Sequence, residues 1–208
     1  MICRLGGLEF EERTIFLSRA DSPPQLRAVS PTGRVPVLHA DDTVIWDTLA
    51  IAEWLWERDP SCAVWPHDPA RRTWARCVAA EVHSHFDEVR KALPMNLVKR
   101  WPIRDGLPDP VKRMGSPGVA SGTARMEAIW RDSLARWGGP WLAGETFSAA
   151  DAMMAPMCSR YVTYGVELAE DSMTFIRQML DSPLMREWMT RVDAQAEAIG
   201  RDVVAASP

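Results

Sequence analysis

The chain changes character after Cys62, and that change limits its architecture more than any other feature. Before it, short segments are cut by proline, glycine and paired acids. After it, apolar residues recur at helical spacing. Trp74, Val78, Val82, Phe86, Val89 and Leu93 follow three- and four-residue steps, which predicts one long amphipathic helix that Pro94 ends or kinks. Pro102 to Gly122 is rich in Pro and Gly and reads as a long loop. Met126, Ile129, Trp130, Leu134 and Trp137 make the next helical face, broken by Gly138-Gly139-Pro140. Ser148 and Asp151 fit a variant capping box opening another helix, with Phe147 as its staple. Two further helices are expected over residues 172–180 and 184–198. Such a chain divides into a mixed α/β unit over residues 1–62 and an all-helical unit over 69–208, joined through a proline-containing linker at Trp65-Pro66-His67-Asp68-Pro69.

The first unit is read element by element. Residues 1–7 resemble the last turn of a helix closed by glycine, an abrupt start that looks like a cut edge. Residues 8–17 are rich in β-branched and aromatic side chains with partial alternation, so a strand is expected there. Pro23-Pro24 breaks it, and residues 25–30 form a short helix or turn. Residues 35–39 and 43–46 read as two strands joined at Asp41-Asp42. Asp47 or Thr48 then caps a helix with Leu49, Ala52, Leu55 and Trp56 on one stripe, ending by Asp59-Pro60.

Composition excludes more than it assigns. A net charge of -4 over 208 residues argues against a general binder of nucleic acid or anionic membranes. Cys3, Cys62, Cys77 and Cys158 are scattered, without metal-ligand spacing, as expected of reduced thiols in a cytoplasmic protein. His83 and His85 stand two apart and point to different faces of a helix, so no metal site is expected. No apolar run reaches the length of a membrane span, and the start does not read as a signal peptide. The Trp and Met content, ten and eleven residues, suits core, interface or adaptable apolar pockets.

The pairing of Val35-Pro36-Val37-Leu38 with Asp47-Thr48 has functional content. A strand edge offers backbone hydrogen bonds to a peptide, and a helix N-terminus offers N–H groups to a carboxylate. Side by side, the two suit a small, charged, peptide-like ligand.

The order Ser30-Pro31-x-Gly33-Arg34-Val35-Pro36-Val37-Leu38, then Asp47-Thr48-x-Ala50-Ile51, then Phe147-Ser148-x-Ala150-Asp151, resembles the soluble glutathione transferases. The resemblance covers residue 6 to about residue 198. It implies a thioredoxin-like N-terminal domain, incomplete at its start, followed by an all-α helical bundle, usually assembled as a homodimer. It also implies glutathione as co-substrate and a cis proline at Pro36. The cysteinyl backbone would pair with Val35, the γ-glutamyl end would lie at Asp47 and Thr48, and Arg34 would stand near the glycyl carboxylate. Most members carry Glu or Gln then Ser where this chain has Asp47-Thr48, a shorter acid and a bulkier hydroxyl. The second substrate would lie between the domains. Met95 and Asn96 after Leu93-Pro94, and Met157, Arg160, Tyr161 and Tyr164 on a later helix, are its candidate lining. Arg160 among Met153, Pro156 and Tyr161 calls for a partner.

The family activates the thiol with a Ser, Tyr or Cys just after its first strand, and no residue of this sequence matches that position. Cys3 falls late in the helix and is not proposed as a nucleophile. The resemblance therefore implies a native product beginning upstream of Met1, with little stability or activity in the sequence as written. Conjugation of glutathione to a small hydrophobic electrophile is the leading expectation. A non-catalytic glutathione-binding protein is the alternative, and a reductase-like or maleylacetoacetate-isomerase-like member is a third reading.

Overall fold

The structure is a computed structural model describing residues 1–17, 21–97 and 115–199, with side chains to Val192. Helix α1 (Ile2–Leu5) opens it, and the expected helix end is present, though the residue with positive φ is Gly7 and not Gly6. Helix α2 (Ser22–Val29) carries Pro23 and Pro24 in its first turn, where missing N–H groups cost nothing. The two prolines thus start the helix; they were expected to end a strand. Strands β1 (Val37–Ala40) and β2 (Thr43–Trp46) form an antiparallel hairpin with Val37 opposite Trp46 and Ala40 opposite Thr43. Helix α3 (Thr48–Arg58) follows directly and buries Ile51, Ala52 and Leu55.

The strand expected over residues 8–17 does not form. Alternation supplies a strand with a face, but a strand also needs an edge to bond. Between this segment and β1 lies a groove of about 870 Å3, lined by Leu8, Phe10 and Ile15 on one side and Leu38 and Trp54 on the other. Among the described residues, the sheet therefore has two strands.

The helical part contains α4 (Pro69–Ser84), α5 (Asp87–Ala92), α6 (Pro117–Trp137), α7 (Ala149–Tyr164), α8 (Glu170–Asp181) and α9 (Pro183–Ile199). The single long helix predicted from Trp74 to Leu93 is instead two. His85 leaves the helical conformation and Phe86 turns left-handed at φ 69°. The apolar series survives the break, because Val82, Phe86, Val89 and Leu93 are all buried. Arg90 bridges it, donating from Nη2 to the Val82 carbonyl and from Nε to that of His85.

Of the expected long loop, residues 102–114 lie outside the described residues, and the remainder is the start of α6. Ser116 caps α6 by accepting the Val119 N–H, with Pro117 in the first turn. Its glycines are explained by proximity to α5. A Cβ on Gly122 would lie 2.7 Å from Val89 Cγ2, and one on Gly118 3.1 Å from Glu88 Cγ. The backbone of α6 approaches α5 at positions where other residues would collide. Gly138 ends α6 in a left-handed cap, as the Gly-Gly-Pro break predicts.

Helix α7 runs through the core, burying most of its length, including Met154, Met157, Cys158 and Tyr161. Trp130 packs against the Tyr161 ring edge at 6.0 Å and stacks on Phe175 at 5.6 Å. The linker is less exposed than its prolines suggest. Trp65 is buried, and the Val64 carbonyl accepts the Ala149 N–H at 2.8 Å, tying the linker to the start of α7. Against the first unit, Arg76 on α4 reaches Glu53 on α3 through two hydrogen bonds, one of 2.8 Å from Nε.

The capping box is present and fully buried. Asp151 Oδ2 accepts the Ser148 N–H at 2.9 Å and its hydroxyl at 3.0 Å, and Oδ1 accepts the Leu142 N–H at 2.9 Å. Burial pushes the Asp151 carboxyl up to about 6, against the opposing pull of these donors. An acid whose pKa is raised on folding binds more protons folded than unfolded between the two values. Its contribution to stability therefore declines as pH rises from about 4 to about 6 and is level outside that window. Asp151→Ala removes three bonds at once and should cost about 2–4 kcal/mol in urea unfolding at neutral pH. Asp151→Asn, which cannot ionise, should lack the decline that the parent shows across pH 4 to 6.

Candidate functional site

The turn before β1 is built by Ser30. Its Oγ accepts the Arg34 N–H at 3.2 Å and its carbonyl the Gly33 N–H at 3.1 Å, while Gly33 takes φ 67°. That turn delivers the Val35–Pro36 peptide, which is cis, to the head of β1. Val35 is 48% exposed there, unusual for its type, and Arg34 is exposed beside it.

At the same open end of the hairpin, just past Trp46, Asp47 caps α3 from a strained backbone, φ 79° and ψ 138°. Its Oδ1 accepts the Leu49 N–H at 2.8 Å. Oδ2 meets His83 Nε2, on α4, at 3.0 Å. Thr48 begins the helix, where the first N–H groups lack intrahelical acceptors and the helix dipole favours an anion.

These elements open on one cavity of about 660 Å3. Pro36, Thr48 and Ile51 form its wall from the first unit. Val82, His83, Asp87 and Arg90 come from α4 and α5, Ala152, Met153 and Pro156 from α7, and Trp188 from α9. Met1, Ile2 and Cys3 of α1 close a further side with Phe10 and Glu12. Burial holds the Cys3 thiol above its ordinary value, so its thiolate is disfavoured. Val35 lines the adjoining groove, which shares Pro36 and Ile51 with the cavity.

Of the residues assigned to glutathione from the sequence, Pro36 and Thr48 line the cavity, Asp47 contacts its lining residue His83, Val35 lines the adjoining groove, and Arg34 is exposed. The residues suggested for a second substrate lie elsewhere. Met157 is wholly buried in the core. Arg160 donates from Nη1 to the carbonyls of Leu93 at 2.5 Å and Arg90 at 3.5 Å, so its expected partner is the C-terminal end of α5. Desolvation lowers its pKa to about 10. The Tyr164 hydroxyl donates to the Pro94 carbonyl at 3.0 Å, and Thr163 Oγ1 to that of Asn96 at 2.6 Å. The Pro94–Asn96 backbone, with Met95 between, is thus braced against the last turns of α7. None of Met95, Asn96, Met157, Arg160 and Tyr164 lines the cavity. The α7 residues that do line it are Ala152, Met153 and Pro156. His83, Asp87, Arg90 and Trp188 were not anticipated from sequence. Their signal was the polar face of the Trp74–Leu93 series, with three of them at three- and four-residue steps.

The comparisons with known proteins bear on this arrangement. Residues 1–58 match the glutathione S-transferase N-terminal domain and residues 71–191 the glutathione S-transferase C-terminal domain. The chain belongs to the glutathione S-transferase family. A maleylacetoacetate isomerase from Pseudomonas aeruginosa is 29% identical over 181 residues, 85% of this chain and 80% of the relative. A probable maleylacetoacetate isomerase from Caenorhabditis elegans is 23% identical, covering 79% of this chain and 73% of its own length. Among solved structures, a glutathione transferase homolog from Sulfitobacter with bound glutathione superposes with a TM-score of 0.67 at 21% identity, covering 91% of this chain and 89% of its own. Holo maleyl pyruvate isomerase, a bacterial glutathione S-transferase of the zeta class, gives 0.65 at 20% identity over 89% and 87%. The fold is that of the family: a small thioredoxin-like N-terminal domain followed by a helical C-terminal domain.

Asp47 combines a cap with a backbone conformation that few side chains tolerate. Asp47→Ala should lose about 1–3 kcal/mol in urea unfolding, from the missing cap and the strain of alanine at positive φ. Asp47→Asn, which keeps the acceptor and tolerates that region, should stay within about 0.5 kcal/mol of the parent.

Proposed function

We propose that this family member binds glutathione and directs its thiol to a small hydrophobic substrate, by conjugation or by the isomerase chemistry for which its relatives are named. The observation carrying the proposal is that Pro36, at the cis bond after Val35, and Thr48, beside Asp47 at the α3 N-terminus, line one cavity. The tripeptide has four polar features to satisfy. The Thr48 hydroxyl and the first N–H groups of α3 suit its γ-glutamyl carboxylate, and Asp47 suits the ammonium. The backbone of Val35 suits the cysteinyl amide, as an added strand would, and Arg34 suits the glycyl carboxylate. Structures of relatives holding glutathione support this reading.

Beyond the glutathione position, Val82, Ala152, Met153, Pro156 and Trp188 give the cavity an apolar surface for the second substrate. The maleylacetoacetate isomerases among the relatives make that compound the first substrate to try beside an aromatic halide. Calorimetric titration with glutathione tests the core of the proposal. Binding is expected, and Thr48→Val should weaken it about tenfold through loss of one hydrogen bond to a charged group. A folded protein that shows no heat of binding and no turnover of either substrate would sink it.

The four cysteines are free thiols, which supports a cytoplasmic setting. A two-fold homodimer belongs to the same proposal. Val44 and Trp46, both exposed on one face of β2, supply apolar surface for it. Sedimentation velocity should give a dimer, and Trp46→Glu should shift it toward monomer.

A further inference from the structure

We propose that His83 is a positioning residue for the γ-glutamyl end of glutathione, a donor from the helical domain that fixes the plane of the Asp47 carboxylate. The inference rests on the assignment of that end of glutathione to Asp47 and Thr48. Asp47 Oδ1 accepts the Leu49 N–H at 2.8 Å, and Oδ2 lies within ion-pair distance of His83 Nε2, at 3.0 Å. With only the first, the carboxylate could turn about its terminal torsion, which is broad for Asp. With both, its plane is set, and each oxygen retains a lone pair for an incoming ammonium. The ring must then carry its proton on Nε2.

The contact is built into the packing of two helices. Val82, beside His83 on α4, is buried, and His83 lines the same cavity as Thr48. Further along both helices, in opposite chain directions, Arg76 of α4 grips Glu53 of α3. Both contacts run between α3 and α4, which pass each other antiparallel. Asp87 and Arg90 stand beyond it on α5, and Glu12 lines the same cavity.

A pair this exposed contributes little to folding, since exposed ion pairs are screened and cost side-chain entropy. Its effect belongs to ligand geometry. The test is calorimetric affinity for glutathione and for its analogue lacking the γ-glutamyl amino group, glutaryl-cysteinyl-glycine. His83→Ala should weaken glutathione about fivefold, the equivalent of a modest hydrogen bond, and leave the analogue within about twofold. His83→Gln, which keeps an N–H donor, should recover most of the loss. On an Asp47→Asn background, His83→Ala should change glutathione affinity less than about twofold, because the charge it positions is gone.

Equal weakening of both ligands by His83→Ala would mark a packing role and overturn the proposal. Tighter glutathione binding would mark His83 as a competitor for Asp47 and overturn it equally. Failure of the underlying assignment reads differently. The parent would bind both ligands alike and Asp47→Asn would leave glutathione unaffected, a result that removes both inferences.

Discussion

A single buried carboxylate organises the helical domain. Asp151 takes N–H groups from Leu142 and Ser148, so it joins the segment after α6 to the first turn of α7 without any exposed atom. Its neighbours in the chain then have no freedom of register. Ala152, Met153 and Pro156 face the cavity, Met154 and Met157 fill the core, and Arg160, Thr163 and Tyr164 reach the end of α5. Three different surfaces of one helix are fixed from its N-terminal cap. A buried acid is a costly device for this, and its upward-shifted pKa measures the cost. In return, misregistered packing of α7 would strand an unpaired carboxylate, which makes alternative arrangements expensive.

The cavity obeys the opposite logic. Its residues come from elements far apart in sequence: the head of β1, the first turn of α3, both sides of the break between α4 and α5, and the side of α7. The break is central. An unbroken helix from Trp74 to Leu93 would carry Asp87 and Arg90 straight on from His83. The left-handed residue at Phe86 redirects α5, and the cavity is lined on both sides of that bend. Arg90 bonds the carbonyls of Val82 and His85 released at it, and Arg160 those at the far end of α5, so both ends of the redirected helix are held by cations.

These two regions differ in how much of them the sequence discloses. Caps are local, so Asp47, Ser148 and Asp151 were legible from residue type and spacing, as were the hairpin and the glycine stop at Gly138. The turn at Ser30, the start of β1 and the cap of α3 were legible because they lie within one short stretch. The cavity wall was not. Helical periodicity identifies a buried face without saying whether it meets core or void, and on α7 it does not separate Met157, in the core, from Met153, at the cavity. The strand over residues 8–17 failed for a related reason: propensity describes a strand's side chains, whereas pairing depends on an edge elsewhere. The bend at Phe86 left no local mark, since an aromatic residue in a left-handed conformation is a tertiary outcome.

Gly122 shows what such non-local control means for anyone altering this protein. Its φ is ordinary, so by every measure of helix propensity alanine would be the better residue in α6. The reason for glycine lies on another helix, in the methyl group of Val89 that a Cβ would meet at 2.7 Å. Consensus or propensity-guided stabilisation would flag this position first and would be misled by it. A better isolated α6 would be a worse neighbour, wedged away from α5 and so from the bend that shapes the cavity. Spacing between helices is here encoded as the absence of one carbon atom, and a gain in local order would appear as a loss of global fit.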